Sequence, residues 1–311
     1  LRAALALGYE VAARAGEVWR IRPGMHVDGS WHALGAAAAA ARLGGGDTAA
    51  AERAVRVAAC QIPFSLYAPI TAGMDGRNSY AAHAVQLGAL AGASALAGMD
   101  APPAGFAEAR RIALLREDDP GLEPAGTWLV AESYQKPFAG VRHAHYAAAA
   151  ALALRDRVAP DAIEGIEVAT YPEALRYAGN RAPRAAITAQ FSLSWAVAAA
   201  LVQGDLGPAA YTDAALADPL LRRLEACVVL REDGTLGDRR AAGVTLRTNG
   251  QAHSAGCDPV PGDPDRPMRR GEIVDKFLRY AGAQAAPAIA LLLDGGADDS
   301  ARPLLDILAA A

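Results

Sequence analysis

The sequence predicts a mainly α-helical protein with an α+β second domain, and three observations predict it. Helical periodicity dominates to about residue 115. Alternating, β-branched stretches then appear only in the middle of the chain, at IEGIEVATY (163–171), CVVLRED (227–233) and AAGVTLRTNG (241–250). Helical pattern returns after the proline-rich connection DPVPGDPDRP (258–267). This order reads as a helical domain, 1–135 plus 268–311, closed by the C-terminal helices, with an α+β domain, 136–267, inserted into it.

Each element has its own signal. LRAALALGYEVAARAGEVWR (1–20) sets Leu1, Leu5, Tyr9 and Ala12 on one stripe and reads as a helix that opens mid-pattern. The expectation is that another polypeptide supplies the segment before it, or that this segment was removed. GMHVDGSW (24–31) is a loop. HALGAAAAAARLGGGD (32–47) is a helix ended by glycines, with Asp47 placed to cap the next one, DTAAAERAVRVAACQ. Residues 63–79 form an irregular loop, and YAAHAVQLGALAGASALAG (80–98) is apolar nearly all round, with small residues spaced for close packing. Further helices are expected at 144–158, 188–203, RRGEIVDKFLRYAG (269–282) and along the apolar tail 286–310.

Composition excludes several classes. The chain has 311 residues, 52% hydrophobic and 21% charged, which suits a globular protein with a sizeable core. A net charge of −4 gives no reason to expect nucleic acid or an anionic membrane as partner. The alanine runs are broken by Arg, His or Gln, so no membrane span is expected, and no signal-peptide pattern opens the chain. Cys60, Cys227 and Cys257 are scattered, which suits a reduced, cytoplasmic protein and argues against a zinc ribbon or an iron–sulfur cluster. HExxH is absent as well, so neither a metal nor an organic cofactor is expected. GGG at 44–46 follows a helix rather than a strand and reads as a C-cap, not a phosphate loop.

KPFAGVRHAHYAAAAALAL (136–154) is the segment that points to chemistry. The chain has only two lysines and six histidines, and here Lys136, Arg142, His143 and His145 gather ahead of an alanine-rich helix. The segment is either a solvated helix start or a site that holds an anion and moves a proton. His143 and His145 at a helix start point in different directions, which disfavours a two-histidine metal site. An acid–base reading fits better, with a histidine as proton carrier and Lys136 and Arg142 as anion holders. Arg77-Asn78 precedes a helix, where backbone N–H groups and a guanidinium together suit a carboxylate; the plainer reading is helix capping. His26, taken alone, is a loop histidine beside glycines. His32, His83 and His253 read as packing or surface residues.

Six segments, in order, resemble the MmgE/PrpD family, which includes 2-methylcitrate dehydratase, cis-aconitate decarboxylase and iminodisuccinate epimerase. They are LGYEVAARAG, GMHVDGSWHALGAAAAAARLGG, RNSYAAHAVQLGALA, KPFAGVRHAHYAAAAAL, AQFSLSWAVAAAL (189–201) and PGDPDRPMRRGEIVDKF (261–277). The resemblance implies a helical domain, a smaller α+β lid and an active site in the cleft between them. His26 matches the family's Gly-x-His motif. Lys136, Arg142, His143 and His145 match its Lys-Pro-Tyr…Arg-His-x-His motif. Where several members have a lysine in a TKP-type sequence, this chain reads ITAGMDGRN, so Arg77 would supply the charge but not a transferable proton. Members normally carry an N-terminal helical segment before LGYEV, which implies a companion polypeptide here.

The resemblance thus implies a cofactor-independent lyase acting on a small di- or tricarboxylate, most directly the dehydration of a 2-alkylcitrate-type hydroxy acid. His26 and His145 are expected to exchange protons. Arg77, Asn78, Lys136, Arg142 and His143 are expected to bind substrate. Decarboxylation and epimerisation need the same constellation and stay open, as does a half-catalytic subunit. The expected assembly is dimeric and includes the companion chain.

Overall fold

Small residues decide how the first helices meet. Gly8 in α1 (Arg2–Val18) lies against Gly35 in α2 (His32–Leu43), and a Cβ on Gly8 would sit 2.8 Å from the Gly35 carbonyl oxygen. These contacts come from a computed structural model describing residues 1–61, 64–118, 126–237, 239–294, 302–303 and 306–307. It is mostly helical, with a mixed sheet of four strands. The chain divides into two compact units, Leu1–Ser133 with Gln284–Ala311, and Tyr134–Ala283.

In the first unit, β1 (Met25–His26) follows α1 and pairs antiparallel with β2 (Ser65–Leu66). Between them lie α2 and α3 (Thr48–Ala59); Asp47 caps α3 as expected, accepting from the Ala50 amide at 2.9 Å. The short α4 (Ala68–Thr71), α5 (Tyr80–Leu96) and α6 (Gly105–Leu114) follow. Helices α2, α3 and α5 share a core built largely from Leu34, Ala37, Ala41, Ala54, Val57, Ala91 and Ala95. Alanine and glycine at these positions allow close helix approach: Gly92 faces Ala40, and a side chain on Gly88 would collide with Ala36. Trp19 stacks on Phe106 at 5.1 Å, tying the end of α1 to α6. The helix Ala286–Asp294 belongs to this unit, and Arg2 donates to the Leu292 carbonyl oxygen at 3.0 Å. Most of the expected helical tail beyond Asp294 lies outside the described residues.

Within this chain α5 is buried only on the face bearing Ala84, Gly88, Ala91 and Ala95. Val85, Leu90 and Leu96 on the other side are 56%, 62% and 43% exposed. Helices α2 and α3 cover one side only.

The second unit opens with 3₁₀ turns that lead into α7 (His145–Leu152), then β3 (Gly165–Thr170), α8 (Pro172–Tyr177), α9 (Ala186–Gln190) and α10 (Leu193–Gln203). It continues with α11 (Asp213–Ala217), α12 (Pro219–Cys227), β4 (Val228–Glu232), β5 (Ala242–Thr248), β6 (Gln251–Cys257) and α13 (Arg270–Ala281). The sheet order is β4-β3-β5-β6, with β3 and β4 parallel and the other pairs antiparallel. Alternation puts Ile166, Val168, Val244 and Leu246 on the covered face, in one core with residues of α7 and α10. On the open face Glu167 pairs with Arg231 at 2.8 Å and Arg247 at 3.6 Å.

Two helices differ from the sequence pattern. The expected helix 188–203 is broken in two, because Ser192 adopts extended backbone and its Oγ accepts from the Trp195 amide at 3.1 Å, capping α10 afresh. The expected helix 144–158 stops at Leu152, and 3₁₀ turns follow. Helix α13 groups with the second unit, whereas the sequence pattern grouped 268–311 with the helical domain.

Candidate active site

The seven candidate residues fall into two sets, one in each unit. In the first unit, β1 holds His26 by pairing with Ser65 of β2, and Gly24 and Gly29, both at φ +88°, turn the chain on either side. At Gly29 the approach is close enough that a Cβ would sit 2.6 Å from Ser65 Oγ. His26 is buried, stacked on Tyr67 at 5.6 Å and tilted against Tyr80 at 6.2 Å. Its Nδ1 accepts from the Asp28 backbone N–H at 3.0 Å, which leaves the proton of the neutral ring on Nε2. Burial lowers the pKa of His26 first of all, opposed by Asp28 and assisted by Arg77 and His32.

Arg77 is bound to Asp28 by an ion pair, and its Nη1 also donates to Asn78 Oδ1 at 3.2 Å. Both lie in a 3₁₀ turn, Asp75–Ser79, that leads into α5, and Ser79 makes no side-chain cap there. His26, Asp28, Arg77 and Asn78 thus form one polar group. Asp28 was not singled out in the sequence. It stands two residues after His26, and only the fold brings it to Arg77.

In the second unit, Arg142 and Asp263 form an ion pair with both side chains buried. Tyr146 completes it: its hydroxyl accepts from Arg142 Nη2 at 3.0 Å and donates to Asp263 Oδ2 at 3.1 Å. The guanidinium lies 4.0 Å over the Tyr134 ring. Asp263 also accepts from the Val260 amide at 3.1 Å, and the Gln135 amide donates to the Gly262 carbonyl at 2.8 Å. Gly262 stands at φ +93°, where a side chain would run into the Gln135 carbonyl. The PGDPDRP and KPFAGVRHAHY segments are therefore joined at these two points.

The two histidines of the segment do point apart. The Nδ1 of His143 is 2.7 Å from the Tyr171 hydroxyl, and the ring stacks on Tyr177 at 5.6 Å. Burial, then Arg240, Arg142 and Lys136, pushes its pKa down to about 4. His145, the first residue of α7, is wholly buried, and its ring nitrogens make no hydrogen bond of good geometry among the described residues, only a weak one with the Gly140 backbone. Phe138 meets its ring edge-on at 5.5 Å. Burial pushes its pKa down to about 3, helped by Lys136 and Arg142 and, more weakly, Lys276, with a small opposing effect from the Gly140 backbone. Lys136 Nζ reaches back to the Gly140 carbonyl oxygen at 3.3 Å. His145 is thus a buried imidazole held neutral, with cationic side chains acting on it.

Other polar groups serve the fold. Ser194 donates to the buried Glu225 at 2.6 Å, and Glu225 is also held by the Ala182 amide and by Arg181. The serines of AQFSLSW are therefore committed to structure. Among the described residues no group of three or more His, Cys, Asp or Glu side chains could hold a metal ion. No helix among them is long and apolar enough to cross a membrane.

None of the curated proteins compared with the chain matches it. Residues 138–289 match the model of the MmgE/PrpD C-terminal domain, a span that contains Arg142, His143, His145, Tyr146, Asp263 and Lys276 and begins two residues after Lys136. A domain of this kind points to dehydratase- or lyase-type chemistry. The match over residues 138–289 supports membership of the MmgE/PrpD family.

Proposed function

We propose that the chain is a lyase that works without metal or organic cofactor on a small di- or tricarboxylate, dehydrating a hydroxy acid of the 2-alkylcitrate type. The observation that carries this is His145, a fully buried imidazole whose ring nitrogens make no well-formed hydrogen bond among the described residues, in the field of nearby cations. Unpartnered buried polar atoms are rare and call for an explanation. A bound acid provides one. Its carboxylates offset the cations, so the pKa of His145 rises as substrate binds, and the base becomes competent only when there is something to deprotonate.

In the reaction, His145 takes the proton from the carbon beside a carboxylate. The C–O bond breaks as the C=C bond forms, and the hydroxide leaves with that proton as water. The products are an unsaturated acid and water, and the imidazole is returned neutral. Cationic side chains stabilise the enolate-like charge that develops on the carboxylate. His26 is the second proton-transfer residue in this reading, presenting Nε2–H; Arg77, Asn78, Lys136 and His143 remain the proposed substrate-binding residues.

Proton NMR on a panel of citrate-like acids in deuterated buffer is the experiment. A new vinylic signal with loss of the hydroxylated carbon supports dehydration. Loss of a carboxylate would make the protein a decarboxylase, and deuterium wash-in with inversion an epimerase. A folded sample that changes none of the acids, alone or with a companion chain, sinks the lyase reading. The companion chain itself is a second proposal, favoured by the exposed apolar side of α5.

A further inference from the structure

The chain has only two lysines, and both act on His145. Lys136 comes from the segment that holds His145, but Lys276 comes from α13, far along the sequence. Lys276 is only partly exposed, and it makes no hydrogen bond or ion pair among the described residues. Burial alone lowers its pKa, with no carboxylate acting on it.

The geometry of α13 brings Lys276 to this place. Tyr280, four residues on, shares its face of the helix. That face packs on residues 205–207: the Tyr280 hydroxyl is 3.5 Å from Asp205 Oδ2, and a Cβ on Gly207 would lie 2.9 Å from the Tyr280 ring. Leu206, between them, accepts from the Ala139 amide at 2.8 Å. Helix α13 and the 136–140 segment are thus anchored on the same short stretch, with His145 beyond that segment's end.

Charge bookkeeping separates Lys276 from Arg142. The guanidinium of Arg142 is matched by Asp263, so it adds little net charge with which to hold another anion. Lys276 has no such counter-ion. A partly buried ammonium with no counter-ion among the described residues, whose charge reaches a buried imidazole without a well-formed hydrogen bond, is a place where a ligand would complete both.

We propose that Lys276 is a carboxylate-binding residue of the half-site around His145, acting together with Lys136, so that this half-site takes acids with at least two carboxylates, while Arg142 stays committed to Asp263. The inference rests on the lyase reading above and names which cations that reading uses.

Isothermal titration of the full chain with citrate, succinate and acetate tests it. The wild-type protein should bind citrate and succinate more tightly than acetate. Lys276→Met should weaken citrate and succinate binding about ten- to hundredfold, the scale of one charge-assisted contact, and leave acetate within about twofold. Lys276→Arg should keep most of the affinity. Since Lys276 has no partner to lose, both variants should unfold at the wild-type temperature. Unchanged citrate affinity in Lys276→Met overturns the proposal and leaves the lyase reading standing. A marked drop in unfolding temperature in both variants overturns it too, since Lys276 would then be structural. A folded wild-type chain that binds none of the three acids removes the lyase reading itself, and this inference with it.

Discussion

Arg142 and Asp263 are ion-paired with both side chains buried, and the Tyr146 hydroxyl bonds to each of them. Buried pairs of this kind contribute little net stability, because desolvation offsets attraction, but breaking one is expensive. Asp263→Ala should therefore cost about 3–5 kcal/mol in urea unfolding, since it leaves a buried guanidinium uncompensated. The double variant Arg142→Met/Asp263→Leu should recover most of that loss. If Asp263→Ala lowers stability by less than about 1 kcal/mol, the pair is effectively solvated and the positioning role assigned to it is wrong.

Turnover and stability should part company at the two histidines. General acid–base groups typically contribute roughly 10²–10⁴ in rate, so His145→Leu and His26→Ala should lower kcat by that order. Stability should move differently. His145→Leu removes two buried nitrogens that make no well-formed hydrogen bond among the described residues, so its unfolding midpoint should stay level or rise. His26→Ala loses a stacked ring and an acceptor for the Asp28 amide, so it should unfold somewhat earlier. Near-wild-type kcat in both variants would rule out the proton-transfer assignment.

Acid should destabilise the second unit through His143 and His145. Both are held neutral in the folded state, at pKa values of about 4 and about 3, against 6.5 when unfolded. Between those values the unfolded chain binds more protons than the folded one, so stability is full above pH 6.5 and falls as the pH drops towards 4 and then 3. At about 1.4 kcal/mol per unit, each histidine accounts for at most about 2 kcal/mol lost by pH 5. The unfolding temperature of wild-type protein should therefore fall between pH 7 and 5, and a His143→Gln/His145→Leu variant should show a flatter profile. Parallel profiles for the two proteins would mean that neither imidazole is held neutral by the fold.

Much of this was legible in the sequence where the signal was local. The Asp47 cap, the α2 helix with its glycine stop, and the β3 and β5 strands all rest on neighbours a few residues apart. The β6 strand was not legible: QAHSAGC is an edge strand with small and polar residues, and β5 supplies its register. Of the candidate site, the gathering of Lys136, Arg142, His143 and His145 was visible in the sequence, and the family resemblance singled out His145. The partners were not visible. Asp28 for Arg77 and Asp263 for Arg142 are long-range neighbours, and single-chain periodicity carries no information about such pairs. Consequently Arg142 reads as an anion holder in sequence and as half of an internal ion pair in structure.

The α5 helix makes the last prediction. It carries no charged side chain, and its buried side is a row of alanines and glycines seated on α2 and α3. On the other side Val85 and Leu90 are more than half exposed, with Leu96 close behind at 43%. Isolated exposed apolar residues are ordinary, but these lie along one helix, separated by Ala89 and Ala93 with no charge between them. Monomeric soluble proteins rarely leave a contiguous patch of this kind bare. The purified chain should therefore self-associate or co-purify with a companion polypeptide, and Leu90→Glu should shift it towards monomer without lowering its unfolding midpoint, because Leu90 is 62% exposed. Light scattering combined with thermal unfolding checks both halves of the statement. A wild-type chain that runs as a monomer with a sharp transition would show that the side of α5 bearing Leu90 tolerates water, and the companion-chain proposal would fall with it.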